Sequence, residues 1–74
     1  MDKNEHRKRI GKQLADLRKE RGLSGEQLAE KIGKCHPTIY KVENGRFAAS
    51  VDMLAEFCDA LDAELVVRKK EAVK

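Results

Sequence analysis

The 74-residue sequence has no tryptophan, one tyrosine and two phenylalanines, so any core must be assembled from Leu, Ile, Val and Ala. Its two cysteines, Cys35 and Cys58, stand far apart with no C-x-x-C and no paired histidine spacing. That removes a zinc cluster and a disulfide framework from consideration. Cys58 reads as a small core residue and Cys35 as part of a turn. No apolar run approaches membrane-spanning length, and the basic amino end is not followed by the apolar stretch of a signal peptide. A cytoplasmic protein is expected, with no membrane partner. There is no nucleophile–base spacing and no phosphate-binding loop, and His6 and His36 are isolated from other reactive groups. No enzyme, cofactor or metal is expected.

Charge, by contrast, is abundant at 39% of residues, with a formal net charge of +3. The distribution says more than the sum. Residues 1–21 carry eight Lys/Arg against four Asp/Glu, and residues 31–46 carry four against one. Residues 47–64 carry no Lys/Arg and five acids: Asp52, Glu56, Asp59, Asp62 and Glu64. Segregation of this kind sets a positive face toward phosphate and a negative face away from it. A chain this short is near the size at which a lone core becomes marginal, which makes support from a second copy a reasonable expectation.

The segment from Leu23 to Gly45 has the spacing of two short helices joined by a tight turn at Gly33. Leu28, Ala29 and Ile32 share one face of the first. Ile39 and Val42 share a face of the second, which closes at Asn44-Gly45. Ser24 with Gln27 three residues later forms a capping-box pattern. Two helices joined in this way are the arrangement that lays one of them in a DNA major groove. Upstream, Ile10, Leu14 and Leu17 predict a helix from about Asn4 or Glu5 to Arg21, ended by Gly22. Downstream, a loop anchored by Phe47 leads to Ser50, a cap for a fourth helix over about Val51 to Leu61. Its apolar residues make two stripes, Val51-Leu54-Cys58-Leu61 and Met53-Phe57-Ala60. So wide an apolar arc suggests that Met53 and Phe57 meet a partner, the alternative for Phe57 being a place in the chain's own core.

After Asp62-Ala63 the β-branched run Glu64-Leu65-Val66-Val67-Arg68-Lys69 predicts a strand. Nothing else in the chain reads as a strand, so the simplest partner is the same segment of a second copy, with Leu65, Val66 and Val67 in the interface. The expected organisation is a helical DNA-binding domain over residues 1–62 and a dimerising strand and basic tail over 63–74. Lys69 to Lys74 is expected to lack order.

Taken together, Arg18, Gly22-Leu23-Ser24, Glu26, Leu28-Ala29, Ile32-Gly33, Thr38-Ile39, Val42-Glu43-Asn44-Gly45-Arg46, Leu54 and Leu61 resemble the Xre/Cro, or phage-repressor-like, DNA-binding domain. The resemblance spans Ile10 to Leu61, about 70% of the chain. It implies an all-α bundle of four or five helices and a structural ion pair between Arg18 and Glu43. The short strand in place of a fifth helix is similar to small antitoxin-like members that pair such strands across a homodimer. Three positions depart from the family's pattern. Gly25 stands where glutamine is usual, Cys35 where serine or threonine caps the second motif helix, and Ala48-Ala49 where proline is frequent.

The resemblance places base reading on His36, Pro37, Thr38, Tyr40 and Lys41, and the residue chemistry agrees. Lys41 can donate to guanine O6 or N7, His36 can donate or accept at a base edge, and Tyr40 can reach a base or a phosphate. Pro37 is tolerated in a first helical turn and can pack on a thymine methyl. Ser24, Gln27, Lys34, Asn44 and Arg46 are the expected phosphate contacts. The function so implied is a dimeric, sequence-specific regulator of transcription on double-stranded DNA, a repressor or an autoregulating antitoxin. The alternative is a module that binds a partner protein, such as a toxin, through Met53, Phe57 and the tail.

Overall fold

The computed structural model describes residues 3–69. They form four helices: α1 (Lys3–Glu20), α2 (Gly25–Ile32), α3 (His36–Glu43) and α4 (Val51–Ala60). Their starts follow the caps expected from the sequence. The Ser24 hydroxyl accepts from the Gln27 amide at 3.1 Å while the Gln27 side-chain oxygen accepts from the Ser24 amide at 2.8 Å. These reciprocal bonds satisfy donors that the first turn of a helix leaves over. Ser50 does the same for the Met53 amide at 3.1 Å. Cys35 occupies the equivalent position before α3 and makes no side-chain cap.

Helix ends are as regular as the starts. After α1 the Gly22 and Leu23 amides donate back to the carbonyls of Lys19 and Arg18; after α3, Gly45 and Arg46 donate to Val42 and Lys41. After α4 the same pair of bonds runs from Asp62 to Asp59 and from Ala63 to Cys58. Each turns on one residue of left-handed backbone, φ 74° at Gly22 and Gly45 and 56° at Asp62. This double closure consumes the orphan carbonyls of the last turn. α4 carries no basic residue in its own last turn. Its carboxyl end is instead met by Arg21, which donates to the Leu61 carbonyl at 2.8 Å, and by Lys31, which donates to the Ala60 carbonyl at 3.3 Å. Both cations complement the negative end of the helix dipole.

The core is Leu14, Leu28, Ala29, Ile39, Val42, Phe57, Cys58 and Leu61, with one or more residues from every helix. α3 packs on both α1 and α2, and α4 packs on α2. Ile10, Leu17, Leu23, Ile32, Met53 and Leu54 close the margins. The apolar stripes read from the sequence for the first three helices therefore face inward.

Three expectations are corrected. Phe57, assigned to a partner interface, is wholly buried at 0% exposure in the chain's own core, where it is among the largest side chains enclosed, and it has no surface to offer a second molecule. Met53 beside it is half-buried against the same core. Val51, read as part of the inner stripe of α4, is 70% exposed at the first position of that helix. Phe47, expected as an anchor, stays 37% exposed on the rim of a small cleft with Arg7, Ile10 and Leu54. Residues 63–69 have no regular secondary structure in the single chain, where the expected strand has no second copy to pair with. A strand exists only beside a partner that completes its ladder, and the single chain holds none. The expected disorder beyond Lys69 concerns residues outside those described.

No helix among the described residues is long and apolar enough to cross a membrane.

Candidate nucleic-acid interface

α3 is fixed from behind and open in front. Ile39, Val42 and Glu43 are buried on its inner face, while Pro37, Tyr40, Lys41 and Asn44 are exposed on its outer one. The buried carboxylate is a cost unless it is paired, and it is paired. Arg18 of α1 donates from Nε to Glu43 Oε2 at 2.7 Å and from a terminal nitrogen to Oε1 at 3.1 Å. Its third donor reaches the Leu23 carbonyl at 2.8 Å, in the link between α1 and α2. The hydrogen bonds that Arg18 donates to Glu43 raise the Arg18 pKa above its ordinary value, against burial, which works the other way. One guanidinium thus ties α1, the start of the motif and α3 together with charge-assisted bonds. Arg18 and Glu43 are joined as the sequence resemblance implied.

The seam between α2 and α3 is set by Gly25. It is buried, and a Cβ there would lie 3.2 Å from His36 Nε2 and equally close to Cζ and Oη of Tyr40. The missing side chain therefore admits the two rings, which lie 4.5 Å apart between centroids at a tilt of 56°. His36 Nδ1 is 4.0 Å from Glu26 Oε2, and Nε2 is buried without a hydrogen-bond partner among the described residues. The five expected base-reading positions are thus not equivalent. Pro37, Tyr40 and Lys41 are exposed and Thr38 is half-buried. His36 is half-buried with its ring turned to the start of α2.

Among the expected phosphate contacts, Ser24 and Gln27 are exposed at the amino end of α2, their capping bonds using one hydroxyl lone pair and the amide oxygen. The Gln27 NH2 group and the unpaired amides of that first turn remain as donors toward an anion. Asn44 and Arg46 are exposed just after α3. Lys34, in the turn, lies 3.8 Å from Glu56 of α4.

Two features of this region escaped the sequence reading. Gly11 lets α1 touch α3: a Cβ there would lie 2.4 Å from the Val42 carbonyl oxygen and 2.5 Å from that of Glu43. A glycine inside a strongly helical segment is a signal for such an approach. The second is a row of lysines on α1 beside α3. No group of three or more metal-ligating side chains occurs among the described residues.

Comparison with known proteins agrees with this geometry. Residues 9–70 match the model of the helix-turn-helix domain family. An HTH-type transcriptional regulator of Methanothermobacter thermautotrophicus is 40% identical over 51 residues, covering 69% of this chain and 74% of the relative. Two crystal structures of the clp gene regulator ClgR of Corynebacterium glutamicum superpose with TM-scores of 0.78 and 0.76 at 30% and 31% identity. The matches cover 80% and 78% of this chain, and 76% and 62% of those chains. Motif, relatives and exposed face agree on DNA-binding in transcriptional regulation rather than catalysis, and the chain belongs to the helix-turn-helix domain family.

Proposed function

We propose that the protein is a sequence-specific repressor that binds a palindromic operator as a homodimer, reading bases from α3. The observation that carries this reading is the two-sidedness of α3. Its inner face is locked by Ile39, Val42 and the Arg18–Glu43 pair, while Pro37, Tyr40 and Lys41 stand free on the outer one. A helix held rigidly with a short polar edge outward fits the major groove, where Lys41 donates to guanine and the Pro37 ring packs on a thymine methyl. Thr38, half-buried, and His36, turned toward α2, contribute at the margin. Ser24, Gln27, Lys34, Asn44 and Arg46 position the domain on phosphates.

Dimerisation is supported by the tail. Leu65, Val66 and Val67 are 44%, 64% and 97% exposed, an apolar run with no cover in the single chain. Two such segments pairing as strands would hold two domains at a fixed spacing, with residues 1–62 as the DNA-binding unit and 63–74 as the dimerising one. The same exposed run supports a second reading, in which the protein is an autoregulating antitoxin whose tail binds a toxin.

Selection of bound duplexes from a random library tests the proposal. An enriched inverted repeat with half-site centres about 34–36 Å apart is expected. Enrichment of a single unrepeated site overturns the palindromic dimer, and no enriched duplex at low salt overturns the function. A partner protein that co-purifies in fixed ratio and survives Lys41→Ala favours the second reading.

A further inference from the structure

Beside α3 lies an open cleft of about 480 Å³ whose far wall is α1. Lys8, Lys12 and Lys19 line it from α1, at intervals of four and seven residues, so that they form one stripe along the helix. From Lys8 to Lys19 that stripe runs about 16 Å. Tyr40 and Asn44 line the opposite side from α3, and the Arg18–Glu43 pair borders it. Of the cations, Arg18 is neutralised by Glu43, and Lys12 lies 3.2 Å from Asp16. Among the described residues Lys8 and Lys19 have no carboxylate within 4.0 Å, so the cleft keeps a net positive charge.

We infer that this cleft is a phosphate-binding track for the DNA strand that flanks α3, with Lys8 and Lys19 as its principal cations and the Tyr40 hydroxyl and Asn44 amide as its neutral donors. This rests on the reading of α3 as the groove-binding helix. Tyr40 belongs to α3 and Asn44 caps its carboxyl end, so a strand running past that helix passes over the cleft. A row of separate ammonium groups suits it, because a backbone presents phosphates in succession rather than one compact anion. The track lies outside the motif proper and widens the protein's footprint on DNA. Asp16, 62% exposed at its side chain, is the opposing charge that tempers it.

Gel-shift titrations over a range of salt, using a duplex selected by the wild-type protein, test the inference. Lys8→Gln with Lys19→Gln keeps both aliphatic stems and removes two charges. The salt slope should fall by about 1.8, equally on selected and unrelated duplexes, since each phosphate contact contributes about 0.9. Asp16→Asn should act in the opposite direction, tightening binding and steepening the slope, an effect that loss of structure does not produce. An unchanged slope in the double variant, with Arg46→Ala still lowering it, overturns the track and leaves the groove-binding reading standing. A wild-type protein that shifts no duplex defeats that reading first, and the track with it.

Discussion

Arg18 and Glu43 are 25 residues apart in sequence and share two hydrogen bonds of 2.7 and 3.1 Å in the interior. Both side chains are almost enclosed, at 10% and 6% exposure. Removing either partner strands a charge in a dry site. Arg18→Met or Glu43→Leu should therefore each destabilise the domain by about 3–5 kcal/mol, with the double variant costing much less than the two losses added. Urea unfolding of the four proteins measures the cycle. Additive losses would mean that the two groups act independently. The bonds raise the Arg18 pKa above its ordinary, already strongly basic value, so their contribution is complete below that ordinary value and is lost only as pH rises through the higher folded one. Arginine ionisation should leave stability flat across neutral pH.

Gly11→Ala tests the approach of α1 to α3. Its new methyl group would meet backbone carbonyls at 2.4 and 2.5 Å, which cannot rotate aside as a side chain does. The gain in helix propensity is smaller than the overpacking, and a net loss at the upper end of about 1–3 kcal/mol is expected in the same unfolding assay. A neutral result would show that the helices can separate at little cost.

Lys41 and Arg46 should fail differently. Lys41→Ala should lower the preference for the selected site over single-base variants by about 1–3 kcal/mol, because it removes a donor to a base edge. Arg46→Ala should weaken all duplexes alike and reduce the salt slope by about 0.9. Fluorescence titration against matched and mismatched sites separates the two. Equal behaviour of the variants would move Lys41 from reading to positioning.

The cysteines should differ in reactivity. Cys35 is exposed, whereas Cys58 is buried at 6% exposure, and burial, helped by Asp59, raises its pKa and keeps it a neutral thiol. Only the thiolate attacks a disulfide reagent. At neutral pH the native protein should release about one equivalent from such a reagent, assigned to Cys35 by mass spectrometry, with Cys58 following only in denaturant. Rapid labelling of both would mean that α4 opens readily.

Deletion of residues 64–74 should leave a helical but monomeric domain with weakened operator affinity, because two half-sites would no longer be engaged together. Sedimentation and circular dichroism measure the two properties. A full-length chain that sediments as a monomer at high micromolar concentration would rule out tail pairing.

The local features were legible because their causes are local. Ser24 with Gln27 starts α2, Gly22 and Gly45 end α1 and α3, and the spacing of Leu28, Ala29, Ile39 and Val42 marks inner faces. Each depends on residues within one or two turns of itself, and the resemblance added the pairing of Arg18 with Glu43. What only the tertiary structure decided are matters of which surfaces meet. An apolar arc on α4 does not tell core from interface, and only the packed bundle places Phe57 inside and Val51 outside. Gly25 was visible as a missing side chain, yet its consequence, room for His36 and Tyr40, depends on how α3 crosses α2. The lysines of α1 counted only toward a basic amino-terminal segment until α3 was laid beside them. Periodicity and caps are properties of neighbours along the chain, whereas burial and charged clefts are properties of neighbours in space.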